Sequence, residues 1–481
     1  MRCIVQAFCT AHDRPNLFFS RLFKRFFPVD RRSSPRGEAG PVRSVRTEAA
    51  VAPPPSPFLP LSALHDGMAP PPAATAPAGP RFSRSVHGLL PAQQDRVRPV
   101  LHEGFTPTQP IRHALFLAGR ARELERAIEA IEYQNAHLVI FGERGRGKTS
   151  FANVLVQLAA SAGYGVVQHA CHAEASFDHL FSAIIGKVRS RYLRRAAERF
   201  AAGDLTADPS GLGQHSRLGA SEVTEILGGI TTGRLLIVID EFDRIRSETI
   251  KNEFVELLKN LSDLGARVTF VVVGVAQTLT ELLALHLSIQ RNLVTIHLPL
   301  LDDRDIEALI RRGAETAGLE FLPEASELVV QFAKRSPHFA QLLCHHGART
   351  GMRRGSTRIE RRHIIEGLLT IVEEAKFVHD DAYRRALGGD DVATADLLFA
   401  TAQCRTDDVG QFTATSVAEV CRAISTNGTA DPAAALHRLT LPEGGGILKC
   451  LPDIPEPRYS FIDPTLRFYV LLRQASARGL I

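Results

Sequence analysis

The sequence predicts an α/β fold built on a parallel sheet, followed by a helical segment and a mainly helical C-terminal part. Three observations carry this. Short apolar runs of strand type alternate with segments of helical period from about residue 119 to residue 298. A glycine-rich loop, "FGERGRGKTS" (Phe141–Ser150), lies between the first apolar run and the helix that follows it. From Asp302 to about Leu387 the period is helical throughout, and only near the C-terminus does a Gly-rich turn with a short strand reappear.

The first hundred residues predict no domain. "VAPPPSPFLP" and "MAPPPAATAPAGP" are Pro/Ala-rich, a composition that cannot bury enough surface to offset ordering entropy. Residues 1–50 hold ten Lys/Arg against four Asp/Glu, so the formal charge of +5 for the whole chain is concentrated there. Within them "NLFFSRLFKRFF" (Asn16–Phe27) alternates Phe/Leu with Arg/Lys. Three readings stay open for it: a basic amphipathic helix for a membrane surface, part of a targeting peptide, or an unstructured leader with Met68 as an alternative start. The boundaries that follow are a disordered leader over 1–104, an α/β core over 105–300, a helical lid over 301–387 and a final domain over 388–481.

Order begins near Gly104. "GRARELERAIEAIEYQ" has a helical period with Leu124, Ile128 and Ile131 on one face. "HLVIF" is a buried strand running into the glycine loop, and "TSFANVLVQLAASAG" is the next helix, ended by Gly163. "GVVQHA" is a strand and "FDHLFSAIIGKVRSRYLRRAAERF" a helix. "GRLLIVIDEFD" holds another strand and "KNEFVELLKNLSDLG" a helix, with "RVTFVVVGV" and "LVTIHL" as the last two strands. An apolar share of 44% and a charged share of 23% are those of a globular protein, and the mild charge excludes a polycation built for nucleic acid. Seven scattered cysteines without a CxxC pair argue against a disulfide framework or zinc site and for a reducing, cytoplasmic setting. No apolar run reaches the roughly eighteen residues of a membrane span.

The glycine loop fits G-x-x-x-x-G-K-[ST] with Gly142, Gly147, Lys148 and Thr149. Glycines let the backbone fold around phosphate so that several N–H groups point inward, helped by the N-terminus of the following helix. Lys148 supplies charge to the β- and γ-phosphates and Thr149 a hydroxyl for Mg²⁺. Glu143, Arg144, Gly145 and Arg146 complete the cradle, with Ser150 just after it. Arg144 and Arg146 occupy variable positions and read as solvent-facing or intersubunit charges. In "LLIVIDEFDRI" an apolar strand ends in Asp240, a carboxylate for the metal's hydration shell, and Glu241, a general base for the attacking water. Together these residues sit at the C-terminal edge of one sheet, where ligands bind in such folds.

With "LFLAGRARELERAI" before the loop and "RSPHFAQLL" in the helical segment, residues from about 105 to 385 resemble the AAA+ class of ASCE P-loop ATPases. The nearest branch is the group of origin-recognition initiators, transposition helpers and STAND signalling ATPases. The resemblance implies ATP and Mg²⁺ as ligands and a homo-oligomer when ATP is bound. It implies a base-side role for Gly119 and Arg120, and an arginine finger at Arg291 acting across a subunit boundary. Two positions depart from the pattern. Gly274 stands where a polar γ-phosphate sensor is expected, with Gln277 as a substitute, and His338 stands where the lid carries arginine. A histidine donates charge only when protonated.

The C-terminal part resembles, by layout, the winged-helix domains that follow AAA+ modules: three helices, a wing around "PEGGGILKC…RYSFI" and a last helix. Its charge disfavours DNA. Residues 386–481 hold eight Lys/Arg against eleven Asp/Glu, and the recognition helix around Asp431–Thr440 offers only His437 and Arg438. Basic stretches elsewhere, "ARTGMRRGSTRIERRH" in the lid and "KVRSRYLRRAAER" in the core, are either backbone-tracking surfaces or solvated helix faces. The expected function is an ATP-binding and ATP-hydrolysing switch coupled to a protein partner through lid and winged helix. The alternative is a DNA-associated initiator or transposition helper.

Overall fold

Alternating faces along β1 (His137–Gly142), a strand buried almost throughout, decide the layering of the α/β part. Leu138 and Ile140 point into one hydrophobic cluster and Val139 into another, as the period of two in a strand requires. Strands β2 (Gly165–Ala170), β3 (Leu235–Asp240), β4 (Val268–Val275) and β5 (Leu293–His297) repeat this. The five form one parallel sheet in the order β2-β3-β4-β1-β5. Both faces are covered, which is why these strands read as continuous apolar runs. On one face lie α1 (Ala121–Glu132) and α2 (Lys148–Ser161); on the other lie α3 (Phe177–Ala201), α4 (Ala220–Gly228) and α5 (Glu248–Asp263). The sequence reading omits α4, a helix of nine residues bounded by glycines. The doubly covered parallel sheet bears out the α/β expectation.

The computed structural model of the chain describes residues 101–113, 117–173, 176–201, 218–230, 233–276, 282, 291–389, 392–424, 431–451 and 456–481. All of them belong to one unit, which excludes residues 28–91. Most of the expected leader, with Asn16–Phe27 and Met68, lies outside the described residues, as does Gln277. The leader's expected end at 104 needs correction. Leu101–Gly104 is helical, and Leu101 and Phe105 are buried in the cluster that holds the lid helices. Gly104 packs so closely on Gly313 that an added Cβ would lie 2.3 Å from the Gly313 carbonyl oxygen.

The lid comprises α6 (Asp303–Ala317), α7 (Pro323–Ala333), α8 (Pro337–Arg353) and α9 (Arg361–Leu387). It is not purely helical. Glu320–Phe321 (β6) pairs in parallel with Arg358–Ile359 (β7), a ladder too short to leave a period in the sequence. Beyond it come α10 (Val392–Gln403), β8 (Phe412–Thr413), α11 (Ala414–Ile424) and α12 (Pro432–Arg438). Then β9 (Leu448–Leu451) and β10 (Arg458–Phe461) form the wing, and α13 (Pro464–Ala477) closes the chain. This is a winged-helix layout, with β8 as an extra short strand against β10. Lid and winged helix share a single hydrophobic cluster, in which Phe339 of α8 stacks on Phe468 of α13 at 4.2 Å between centroids and 7° between planes. Among the described residues no helix is long and apolar enough to cross a membrane.

Candidate functional site

The loop between β1 and α2 turns on three glycines of positive φ, Gly142 (+148°), Gly145 (+80°) and Gly147 (+85°). At Gly142 both angle and space demand glycine, because a Cβ would lie 2.9 Å from the Leu298 carbonyl oxygen. Gly145 and Gly147 face Ser336, Pro337 and His338, so the start of α8 sits directly over the loop. Lys148 and Thr149 open α2, whose first N–H groups lack helical partners and point out of its end. Lys148 is 9% exposed, and its Nζ donates to the Glu143 carbonyl at 2.7 Å. Burial pulls its ammonium down to about 8; Asp243 and then Asp240 oppose this, while Arg146 adds to it. Thr149 Oγ1 has no hydrogen-bond partner among the described residues.

A cleft of about 330 Å³ opens above the loop. It brings together Arg120, Arg144–Ser150, Asp240, Glu241 and His338 of the expected residues. Gly119, Gly142, Glu143 and Arg291 do not line it. Gly119 is an exposed turn glycine (φ +64°), and the Asp305 carboxylate stands where its Cβ would be. Arg120 borders the cleft with a committed guanidinium: it donates to the carbonyls of Pro299 and Arg146 (3.5 Å) and pairs with Glu123 at 3.6 Å. Burial lowers it to about 10.

The reading of Arg146 as a solvent-facing charge is overturned. It is 3% exposed, and its Nη2 lies 2.7 Å from Glu143 Oε2. Arg144 is exposed, as expected. Ser150 Oγ accepts from the Ile111 N–H at 3.0 Å, so its hydroxyl serves a neighbouring segment. That segment, Thr106–Ile111, is a strap the motif reading missed. It lines the cleft, and Thr106 N donates to Gln341 Oε1 of α8 at 3.0 Å. Ile111, Leu117, Ala118, Val275, Leu301 and Leu309 are among the apolar residues of the lining.

On the acidic side Asp240 ends β3, and its Oδ1 accepts from the Glu241 N–H at 2.8 Å. Glu241 adopts the left-handed region (φ 56°, ψ 35°), an unusual conformation for a non-glycine residue and one that concentrates at functional sites. Its carboxylate pairs with Arg244 Nε at 3.1 Å. Asp243, a third carboxylate in the cleft, was not singled out in the sequence. Its Oδ1 accepts from Val275 N–H at 2.7 Å, tying the turn after β3 to the end of β4. At Gly274 an added Cβ would meet Leu282 Cδ1 at 2.3 Å and Asp243 Oδ1 at 3.2 Å. The absent sensor side chain is thus replaced in space by Leu282 and Asp243.

His338 borders the cleft and hydrogen-bonds the Pro107 backbone; burial lowers its pKa, so the ring is neutral near pH 7. Arg291 stands before β5, whose first residue pairs with the first residue of β1, so it lies at the opposite end of the strands from the loop. It is exposed and pairs with Asp263 at 3.3 Å. The donors beside Lys148 suit a hard cation: one hydroxyl and the carboxylates of Asp240 and Asp243. Among the described residues no group of three or more His, Cys, Asp or Glu forms a metal cage by itself. Mg²⁺ needs none, since it is held by one or two carboxylates, waters and substrate phosphates.

A family model described as novel STAND NTPase 1 matches residues 103–364. No curated protein matches the chain. Among solved structures the chain is similar to the ORC1 protein of Aeropyrum pernix in complex with DNA, at 17% identity over 79% of this chain and 97% of that one, with a TM-score of 0.40. It is similar to Cdc6p from Pyrobaculum aerophilum at 14% identity over 79% and 99%, with a TM-score of 0.44. For a Walker-type ATPase of Pyrococcus abyssi the values are 16%, 76%, 99% and 0.46.

Proposed function

The chain belongs to the novel STAND NTPase 1 family, and on that footing we propose that it binds ATP with Mg²⁺ and hydrolyses it as a switch. Nucleotide state would be read out through the lid and the winged helix. One observation carries the coupling. The backbone at Gly410, in the loop before β8, sits against the Glu143 carboxylate of the phosphate loop, within 2.3 Å of where a Cβ would stand. A change in the loop on filling is therefore felt directly by the C-terminal part.

In this reading the loop N–H groups and Lys148 hold the phosphates, and Thr149 and Asp240 hold Mg²⁺, which supplies charge neutralisation. Moving Lys148 Nζ from the Glu143 carbonyl to phosphate frees that carbonyl beside the Gly410 contact. Glu241 orients and deprotonates the water. Arg291, remote from its own cleft, would act only on a second copy's site.

The DNA-associated alternative has less support. Arg438, one of two basic groups on the recognition helix, donates to the Ala386 carbonyl at 2.8 Å. In the basic lid stretch Arg354, Arg358 and Arg362 are paired with Glu366, Glu320 and Glu360. The test is ATP turnover with and without duplex DNA across a salt series. Turnover indifferent to DNA is expected, lost in Lys148→Ala with nucleotide binding and reduced roughly a hundredfold or more in Glu241→Gln with binding retained. DNA stimulation that falls steeply with salt would replace this reading by the alternative.

A further inference from the structure

Behind the nucleotide cleft lies a smaller cavity of about 50 Å³, where the phosphate loop, the turn between α7 and α8, and the C-terminal part meet. Its charges do not balance. Arg144, Arg146, Lys334 and Arg467 border it against one carboxylate, Glu143, which is already engaged by Arg146 at 2.7 Å. Arg146 is 3% exposed, and its Nη1 has no hydrogen-bond partner. Lys334 makes no hydrogen bond or ion pair among the described residues, although it is held in place by a left-handed backbone (φ 48°). Arg467 donates only to neutral carbonyls, from Nε to Ala402 at 3.1 Å and from Nη2 to Cys404 at 2.5 Å.

The nearby acids do not fill the deficit. Asp408 and Asp302 pair with Arg335, and Asp303 acts on Lys334 without contact. Burial and the neighbouring Arg467 lower Lys334 to about 8. Buried like charges are costly unless a counter-charge compensates them. A water needs roughly 10–15 Å³ of such space, so the cavity takes a few waters or one small tetrahedral ion.

We propose that this cavity is an anion site for one free oxyanion of the phosphate class, bridging the phosphate loop to the C-terminal part. The site adds a second ligand to the switch. Arg146 borders both cavities, so the anion and the nucleotide share one wall. Arg146 Nη1 and the Lys334 ammonium are the donors free to take it.

The wild-type chain, saturated with ADP, is titrated with inorganic phosphate and with chloride at matched ionic strength while its Tm is followed. Phosphate is expected to raise Tm saturably beyond chloride. Lys334→Asn removes the charge and keeps a residue that tolerates the left-handed turn; it should need roughly tenfold more phosphate for half the effect. Lys334→Glu supplies its own anion, so it should melt above Lys334→Asn without phosphate and respond little to added phosphate. O-phosphoserine should act only at higher concentration than phosphate. An equal phosphate response in all three proteins, no excess over chloride in wild type, or a stronger response to O-phosphoserine overturns the proposal. Stabilisation by ADP alone reports the phosphate loop, so failure of the nucleotide reading is seen separately.

Discussion

At Gly274 the backbone of β4 reaches the cleft without a side chain, and Leu282 and Asp243 occupy the space one would need. Restoring a polar sensor there is therefore not conservative. Gly274→Ser is expected to lose about 1–3 kcal/mol of stability through overpacking, read by urea unfolding, with no gain in turnover. Lys148 carries a pH signature. Its folded-state value of about 8 lies below its ordinary 10.5, so between the two the unfolded chain binds a proton that the folded chain does not. This group's contribution to stability accordingly rises with pH across that window. Phosphate favours the charged ammonium, so nucleotide binding takes up a proton above pH 8. Affinity is expected to fall about tenfold per unit from roughly pH 8 to 10 in equilibrium titrations, and Lys148→Arg should flatten the slope. That Lys148, Thr149 and Asp240 share one cleft was legible because the glycine-loop spacing and the end of an apolar strand mark those positions. Arg146 and Asp243 were not, since their partners, Glu143 Oε2 and Val275 N–H, become visible only after the turns close.

Among the elements, the long ones announced themselves. The faces of α1 and α2 follow from helical period, β1 and β3 from continuous apolar runs, and the wing from glycine placement. The two-residue strands β6, β7 and β8 are too short to leave a period, and the nine residues of α4 span too few helical turns to stand out between their flanking glycines. The strap at Thr106–Ile111 has no regular structure, yet it joins α8 to α2 through Gln341 and Ser150. The loop before β8 is the element on which the proposed coupling turns. Gly410 has φ +80°, and its position against Glu143 leaves no room for a Cβ. Gly410→Ala is expected to release residues 405–411 from the phosphate loop at a cost of roughly 1–3 kcal/mol. Faster hydrogen exchange in that segment, with β1 unchanged, is the measurement.

For the whole molecule, lid and winged helix pack into one hydrophobic cluster rather than two. The boundary expected at 387 is a change of sequence pattern, not a gap in packing. Phe468→Ala removes a ring stacked on Phe339 and should cost about 3–5 kcal/mol. Lid and winged helix should then lose stability together in thermal unfolding, whereas separate transitions would show that the cluster does not unite them. In the proposed switch, motion of α8, seated over Gly145 and Gly147, would pass to the C-terminal end through this packing.

The amino-acid sequence by itself determined the parallel α/β sheet, the glycine-rich loop between β1 and α2, the acidic pair at the end of β3 and the winged-helix layout. Each depends on local spacing, and local spacing is written in the chain. Only the tertiary structure decided that Arg146 is buried, that Arg120 is committed to carbonyls and that the C-terminal part touches Glu143. It also decided that four cations meet around a single carboxylate. Those facts join residues as far apart as Glu143 and Gly410, or Arg146 and Arg467. Which distant surfaces pack is settled by the summed burial of the whole core, and no stretch of sequence carries that sum alone.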